Sequence, residues 1–230
     1  MSKISPTVVF CPRCQAKQRA RLFDSLNADR VPAQVELVLA GTFEFLDCPQ
    51  CGHGYRPEHA MLYAHFTARL WIVMHPRADR PRFATIERGV ALVMAEQLGA
   101  APPIVASGTN GVRPRLVFGQ HMLTEAARVA RAGIEPAVLE CAKLLAVRRD
   151  LTWLMSHEPI ELCFEEVAGS GDLVHGVHAL ASGERIDTLT LPQDLLTEAQ
   201  RAQPVLAQTF PDLFGQPYVS ACRYLYGATI

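Results

Sequence analysis

The sequence predicts an α+β fold in two parts, and three observations lead to this prediction. Near the N-terminus, two closely spaced pairs of cysteines enclose a segment with one helical pattern. In the middle of the chain, apolar residues recur at helical spacing, and these patterns end at glycines. In the last third, apolar stretches alternate with Ser-Gly turns, which is typical of antiparallel strands. We expect the first part at residues 1–149 and the second at residues 150–230.

The composition is that of a globular protein. The 230 residues are 49% hydrophobic and 20% charged, which is too apolar for a disordered chain and too interrupted by charge for a membrane-spanning one. Residues 1–10 lack the apolar core of a secretory signal. We therefore expect a cytoplasmic protein without membrane contact. The longest uncharged stretch, residues 97–112, contains prolines and glycines and is predicted to be a linker.

Four of the seven cysteines form two C-P-x-C motifs: Cys11 with Cys14, and Cys48 with Cys51. This spacing lets both thiolates of a tight turn face one ion, and two such turns complete a tetrahedral sulfur site that suits Zn²⁺. Four thiolates leave no position for water, so the predicted zinc is structural. The alternatives are iron, a C-x-x-C redox pair and knuckles without metal.

The three other cysteines are predicted to be core residues, because unpaired cysteine is usually a small buried hydrophobe. Disulfides are not expected, since they are rare in a reducing cytosol. These core cysteines are Cys141, Cys163 and Cys222.

The 33 residues between Cys14 and Cys48 are too many for a simple ribbon turn. A helix is predicted over residues 31–40, with Pro32 near its start and Gly41 after its end. Phe43 and Phe45 alternate with a glutamate, which predicts a strand that leads into the second motif. The cysteine region is therefore predicted to be a zinc-ribbon-like small sheet with a helical insertion.

Helices are predicted to follow this small sheet, and an antiparallel strand segment is predicted at the C-terminus. Strands are predicted over residues 69–74, 116–118, 162–167, 173–180 and 186–191, and helices over residues 86–98, 121–132, 135–148, 195–202 and 218–226.

Charge is unevenly distributed along the chain. Residues 1–150 contain 19 Lys and Arg against 13 Asp and Glu, whereas residues 151–230 contain 3 against 10. The two parts either neutralise each other on packing or divide into a basic binding face and an acidic segment. One of the denser basic patches contains Arg77, Arg80 and Arg82, which two prolines are expected to hold extended. It is the candidate site for nucleic acid, with an exposed solubilising loop as the alternative.

The sequence lacks the common catalytic and phosphate-binding motifs. His175 and His178 lie three residues apart on a predicted strand, so they are expected on opposite faces and unable to share an ion. The neighbours Glu165 and Glu166 are separated in the same way. These observations favour binding over catalysis and leave the question of an enzyme open.

The chain resembles the bacterial and archaeal CpXC domain. The resemblance rests on the two C-P-x-C motifs, on residues 39–43 before the second motif, and on residues 61–63 and 70–72 after it. It covers about residues 5–148 and implies a four-cysteine domain, without catalytic residues to carry over.

We therefore expect a cytoplasmic protein in which structural zinc supports a module that binds a partner protein. One rival hypothesis is nucleic-acid binding through the basic first part. Another is an enzyme whose site lies between the two parts. The sequence does not indicate the oligomeric state.

Overall fold

The computed structural model describes residues 2–99, 111–149 and 158–226, and it confirms the α+β class. The strands are β1 (Lys3–Phe10), β2 (Lys17–Asn27), β3 (Leu46–Asp47), β4 (Gly54–Tyr55), β5 (Met61–His65), β6 (Leu70–His75), β7 (Arg113–Phe118), β8 (Ile160–Val167), β9 (Leu173–Ala179) and β10 (Arg185–Leu191). The helices are α1 (Pro32–Ala40), α2 (Phe83–Gly99), α3 (Gln120–Arg131), α4 (Pro136–Arg149), α5 (Gln193–Arg201), α6 (Gln203–Thr209), α7 (Pro211–Gly215) and α8 (Cys222–Leu225).

The strands of the described residues form one large mixed sheet and two smaller antiparallel ones. The large sheet has the order β1-β2-β5-β6-β7, with parallel pairing of β2 with β5 and of β6 with β7. The β3–β4 hairpin forms a two-stranded sheet, and β8, β9 and β10 form a three-stranded sheet. The β1 strand is therefore at one edge of the large sheet, next to the first cysteine pair.

Three hydrophobic clusters lie within the described residues. One fills the space between the large sheet and α3, and includes Ile72 and Phe118. A second joins α4 to the three-stranded sheet and α5, with Phe164 at less than 2% exposure. The third is small and surrounds the cysteine pairs. The α4 helix, from the predicted first part, thus shares a core with the C-terminal strands, and the expected boundary at residue 150 lies outside the described residues.

Several predicted elements are confirmed. The α1 helix ends at Gly41, whose φ of 71° lets its N–H bond to the carbonyls of Leu37 and Val38. The strand predicted over residues 69–74 is β6, and the three C-terminal strands pair antiparallel as expected. The linker predicted at residues 97–112 lies mostly outside the described residues.

Other predicted elements are wrong. Phe43–Phe45 is a turn rather than a strand, because Glu44 has a φ of 52°. The carboxylate of Glu44 accepts hydrogen bonds from the N–H of Phe23 and from His59, which fixes this turn. The helix predicted over residues 218–226 is reduced to Cys222–Leu225. The segment Arg77–Arg82 is a 3-10 helix rather than an extended loop.

Candidate metal centre

The two cysteine pairs occupy equivalent turns of two β-hairpins. In the first turn, between β1 and β2, the N–H of Gln15 bonds to the carbonyl of Cys11 at 2.9 Å. In the second turn, between β3 and β4, the N–H of Gly52 bonds to the carbonyl of Cys48 at 2.9 Å. Gln15 and Gly52 both adopt the left-handed backbone conformation, with φ of 60° and 67°. The sequence thus builds the same knuckle twice, although a glutamine occupies the glycine position in the first.

The hairpins bring all four cysteine sulfurs together. The Sγ atoms of Cys11 and Cys51 are 3.7 Å apart, those of Cys14 and Cys48 are 3.5 Å apart, and all four lie within 4.8 Å of one another. Four sulfurs arranged tetrahedrally at about 2.3 Å from one ion would be separated by roughly 3.8 Å. A disulfide would require about 2.05 Å, and all four cysteines are free. The geometry is therefore consistent with a metal site of four thiolates.

The electrostatics of the four thiols also favour a cation between them. Burial opposes ionisation of the Cys48 thiol, but the N–H groups of Cys51 and Gln50 lower its pKa to about 7. The N–H of Ala16 lowers the pKa of Cys14, yet burial and the neighbouring thiols raise it to about 12. Four adjacent sulfurs resist full ionisation because their charges repel. A divalent cation removes this conflict, since it deprotonates the thiols that coordinate it.

Few apolar side chains support this region besides the cysteines. Besides cysteines, the buried residues of the small cluster around the sulfurs are Val9, Leu22 and Tyr55. The hydroxyl of Tyr55 accepts a hydrogen bond from Gln18 at 2.8 Å, which connects β4 with β2. The cysteine site therefore joins two hairpins that have little core of their own.

A family model described as CpXC protein matches residues 9–143 of this chain. The chain belongs to the CpXC family. The matched range contains both cysteine pairs, β5 to β7 and most of α4. Among curated proteins and among solved structures, no match to the chain is found.

Beside the CpXC cysteine site lies a buried ionic cluster that was not predicted. Glu161 is 4% exposed, and its Oε2 accepts hydrogen bonds from Arg80 and from His121, both at 2.8 Å. Burial alone would raise the pKa of Glu161, but the Arg80 guanidinium holds it far below its usual range. His121, Glu161 and Cys163 also lie close enough to hold an ion. The charge of Arg80 already neutralises this carboxylate, so the group is an internal ion pair.

The three arginines of the predicted nucleic-acid patch all have carboxylate partners. Arg80 is 3% exposed and contacts Glu161. Arg77 pairs with Glu58, and Arg82 pairs with Asp79. Each ion pair reduces the charge that the patch presents to solvent.

The two histidines considered as ligands have separate surroundings. His175 is fully buried, its Nδ1 contacts the carbonyl of Leu173, and its ring lies 5.9 Å from that of Phe164. Burial and the nearby charge of Lys143 lower the pKa of His175 to about 3. His178 instead stacks on His121, with ring centroids 5.2 Å apart.

A second buried ionic group stabilises α4. The Lys143 ammonium is 2.6 Å from carboxylate oxygens of both Glu125 and Glu140. The carboxylates also accept hydrogen bonds from the backbone, Glu125 from Phe164 and Glu140 from Ala221. Both buried ionic groups have a signal in the sequence, which is a charged residue inside an apolar run. These residues are Lys143 in α4 and Glu161 in β8.

Within residues 2–99, 111–149 and 158–226, no helix combines the length and the apolar composition needed to cross a membrane.

Proposed function

We propose that this CpXC protein is a zinc-stabilised binding module that recognises an acidic partner protein. Zinc is favoured at the Cys11, Cys14, Cys48 and Cys51 site because four thiolates close enough to share one ion are a typical structural zinc set. The metal joins the β1–β2 and β3–β4 hairpins and keeps the first of them rigid. The module would act in the cytoplasm, where thiols remain reduced.

The observation that carries the proposal is the outward face of the β1–β2 hairpin, called here the hairpin face. On β1 it carries Val8 and Phe10, which are 43% and 57% exposed. Opposite them on β2 lie Arg19 and Lys17. An exposed apolar row beside a basic row is typical of an interaction surface. The hairpin face consists of Ile4, Pro6, Val8, Phe10, Lys17, Arg19 and Arg21.

The basic side chains of this face are available to a partner. Within the part of the chain that the structure describes, Lys17, Arg19 and Arg21 form no ion pair or hydrogen bond through their side chains. All three are exposed. These three residues therefore differ from Arg77, Arg80 and Arg82, each of which forms an ion pair with a carboxylate. An acidic surface would supply the missing counter-charges and cover the apolar row.

The free edge of β1 is less suited to strand addition than its face. The N–H of Cys11 points away from the free edge, because it bonds to the carbonyl of Ala16, the residue before β2. Backbone groups alternate in direction along a strand. Pro6 therefore lies at a position that faces the free edge, where it supplies no N–H. This blunts edge-to-edge pairing and favours recognition through side chains.

The test is capture of partners by the full zinc-loaded chain from a lysate of its native host, followed by quantitative mass spectrometry. A partner retained by the unmodified chain should be lost with Arg19→Glu and reduced with Phe10→Ala. Arg88→Glu serves as the control, because Arg88 is exposed on α2, away from the hairpin. Equal retention by all variants would refute recognition through the hairpin face.

One observation favours the alternative of single-stranded nucleic acid. Phe10 is an exposed aromatic ring whose strand neighbour is Lys17, and stacking rings beside cations bind single strands. A fluorescence titration with a labelled oligonucleotide at low salt separates the two functions, because phosphate contacts are strongest there. Binding that weakens steeply with salt and with Phe10→Ala would support this alternative, whereas no binding at low salt would eliminate it.

A further inference from the structure

A cavity of about 530 Å³ lies beside the cysteine site. One wall comes from the two knuckle turns and includes Pro12, His53 and Tyr55. Further lining residues come from the start of α3 and from the turn between β9 and β10. This volume is in the range of small-molecule sites. Its other lining residues are Gly54, Arg56, Glu58, Arg77, Gln120, His121, Ser182, Gly183 and Glu184.

Two guanidinium groups of the lining have hydrogen-bond donors to spare. Arg56 is half-buried, and no residue that the structure describes accepts a hydrogen bond from it or forms an ion pair with it. Arg77 uses its Nε and its backbone N–H on Glu58, and within the described residues its two terminal nitrogens have no acceptor. Glu58 therefore forms an ion pair with Arg77, and its charge also acts on Arg56, although burial and the charge of Arg77 still lower the pKa of Arg56. The remaining acid, Glu184, is exposed on the β9–β10 turn.

Two glycines make room for the Arg77 side chain. A Cβ atom on Gly183 would lie 1.7 Å from Nη1 of Arg77, and a Cβ on Gly119 would lie 2.9 Å from its Cγ. Both glycines have positive φ, 66° and 82°, so a side chain would also be strained there. Gly119 thus makes room for the stem of the Arg77 side chain, and Gly183 makes room for its guanidinium.

The first turn of α3 adds further unsatisfied groups. This helix of 12 residues starts after Gly119, which provides no side-chain cap for the first backbone N–H groups. Such N–H groups and the helix dipole favour an anion. Gln120, which lines the cavity, is 4% exposed and donates its Nε2 to Pro57 and Glu44. Its Oε1 is buried and has no partner, so the lining contains an acceptor that awaits a donor.

We propose that this cavity binds a small phosphate ester whose non-phosphate part carries a hydroxyl or amino group. The phosphate oxygens receive hydrogen bonds from Arg56, from the terminal nitrogens of Arg77 and from the uncapped start of α3. The hydroxyl or amino group donates to Oε1 of Gln120. Phosphate is favoured over carboxylate because its three terminal oxygens satisfy more of these donors.

The test is isothermal titration calorimetry on the full, metal-loaded chain. The probes are adenosine monophosphate and glucose phosphate, with adenosine, glucose and inorganic phosphate for comparison. At least one ester should bind with one-to-one stoichiometry and at least about tenfold more tightly than its unphosphorylated form and than inorganic phosphate. The margin over the unphosphorylated form reflects the hydrogen bonds between the phosphate and charged groups. The margin over inorganic phosphate reflects the contact with Gln120.

Matched variants locate the binding. Arg56→Gln should weaken the ester by at least about tenfold, because it removes charge-assisted hydrogen bonds. Arg88→Gln, on an exposed part of α2, should bind as the unmodified chain does. The melting temperatures of both variants show that each is folded. In ¹⁵N correlation spectra, the ester should shift the amide signals of Gln120 and Gly183.

Three results would overturn the proposal. No ester binds at millimolar concentration, Arg56→Gln binds as tightly as Arg88→Gln, or inorganic phosphate binds as tightly as the esters. The last result would indicate an adventitious ion only.

Discussion

Removal of the metal is expected to open the β3–β4 hairpin while the rest of the molecule remains folded. The hairpin spans residues 46–55, and its two strands contain two residues each. An isolated two-stranded hairpin is marginal even when its strands are longer. The cysteine sulfurs make the principal link between this hairpin and the β1–β2 turn. Chelation therefore removes the interaction that holds the hairpin closed.

The size of the effect follows from the residues involved. Ordering the ten residues 46–55 costs roughly 10 kcal/mol, at about 1 kcal/mol for each backbone. Burial of Tyr55, the one large buried side chain of this hairpin, returns about 3 kcal/mol. A structural zinc site contributes about 10 kcal/mol or more. The closed hairpin is thus stable by about 3 kcal/mol with the metal and is unstable without it.

Amide hydrogen exchange measures this opening residue by residue. With metal, the N–H groups of Cys48 and Gly52, which bond to the carbonyls of His53 and Cys48, should be protected. After chelation their exchange should accelerate by about 100-fold or more, which corresponds to the loss of about 3 kcal/mol. Cys48→Ser should reproduce the effect, whereas Cys141→Ser, in the α4 core, should leave these amides protected.

Protection in α4 and β8 should not change on chelation, because their core does not include the cysteine pairs. Unchanged protection of Cys48 and Gly52 in the chelated protein would refute the reasoning, since the hairpin would then be stable without metal. Metal analysis of the untreated protein should give about one zinc for each chain.

Further predictions concern buried charges. Lys143→Met should destabilise the protein by about 3–5 kcal/mol in denaturant titrations, because it leaves the carboxylates of Glu125 and Glu140 buried without a cation. Arg149→Met, which removes an ion pair that is about half exposed, should cost about 1 kcal/mol or less; equal losses would contradict this account. The pKa of His175 is about 3 in the folded state and about 6.5 when unfolded. As the pH falls, the unfolded state therefore binds this proton at a higher pH than the folded state does. His175 should reduce the free energy of unfolding between pH values of about 6.5 and 3, by at most about 1.4 kcal/mol for each pH unit. His175→Gln should remove this part of the pH dependence in thermal unfolding, and an unchanged slope would show that another group causes it.

The features that the sequence predicted best are those encoded by local patterns. The α1 helix has Pro32 at its start and Gly41 at its end, and both signals act within a few residues. The cysteine pairs are equally local, because each motif forms its own turn. The sequence also predicts that the two turns lie close together, because one ion requires the sulfurs of both. That inference requires no knowledge of the chain between them.

The features that were missed depend on residues far apart in the sequence. The β2 strand carries exposed charges and contains no obvious apolar alternation, so its signal as a strand was weak. The turn at Glu44 exists because its carboxylate meets Phe23 and His59. The cavity brings Pro12 together with Gly183. No local pattern predicts such contacts, because they arise only when separate elements pack.

The cysteine site and the cavity are physically connected through shared elements, which bears on what a metal bound by the cysteines would do. Pro12, His53 and Tyr55 line the cavity from the two cysteine hairpins, whereas Arg77 and Gln120 line it from elements around the large sheet. Opening of the β3–β4 hairpin would remove His53 and Tyr55 from the lining and leave Pro12, Arg77 and Gln120 in place. A ligand that contacts both sets of residues binds the closed form better, and by linkage it stabilises that form and the metal within it. The closed four-thiolate site can therefore influence binding without contacting the ligand, through the position of the lining residues that it holds.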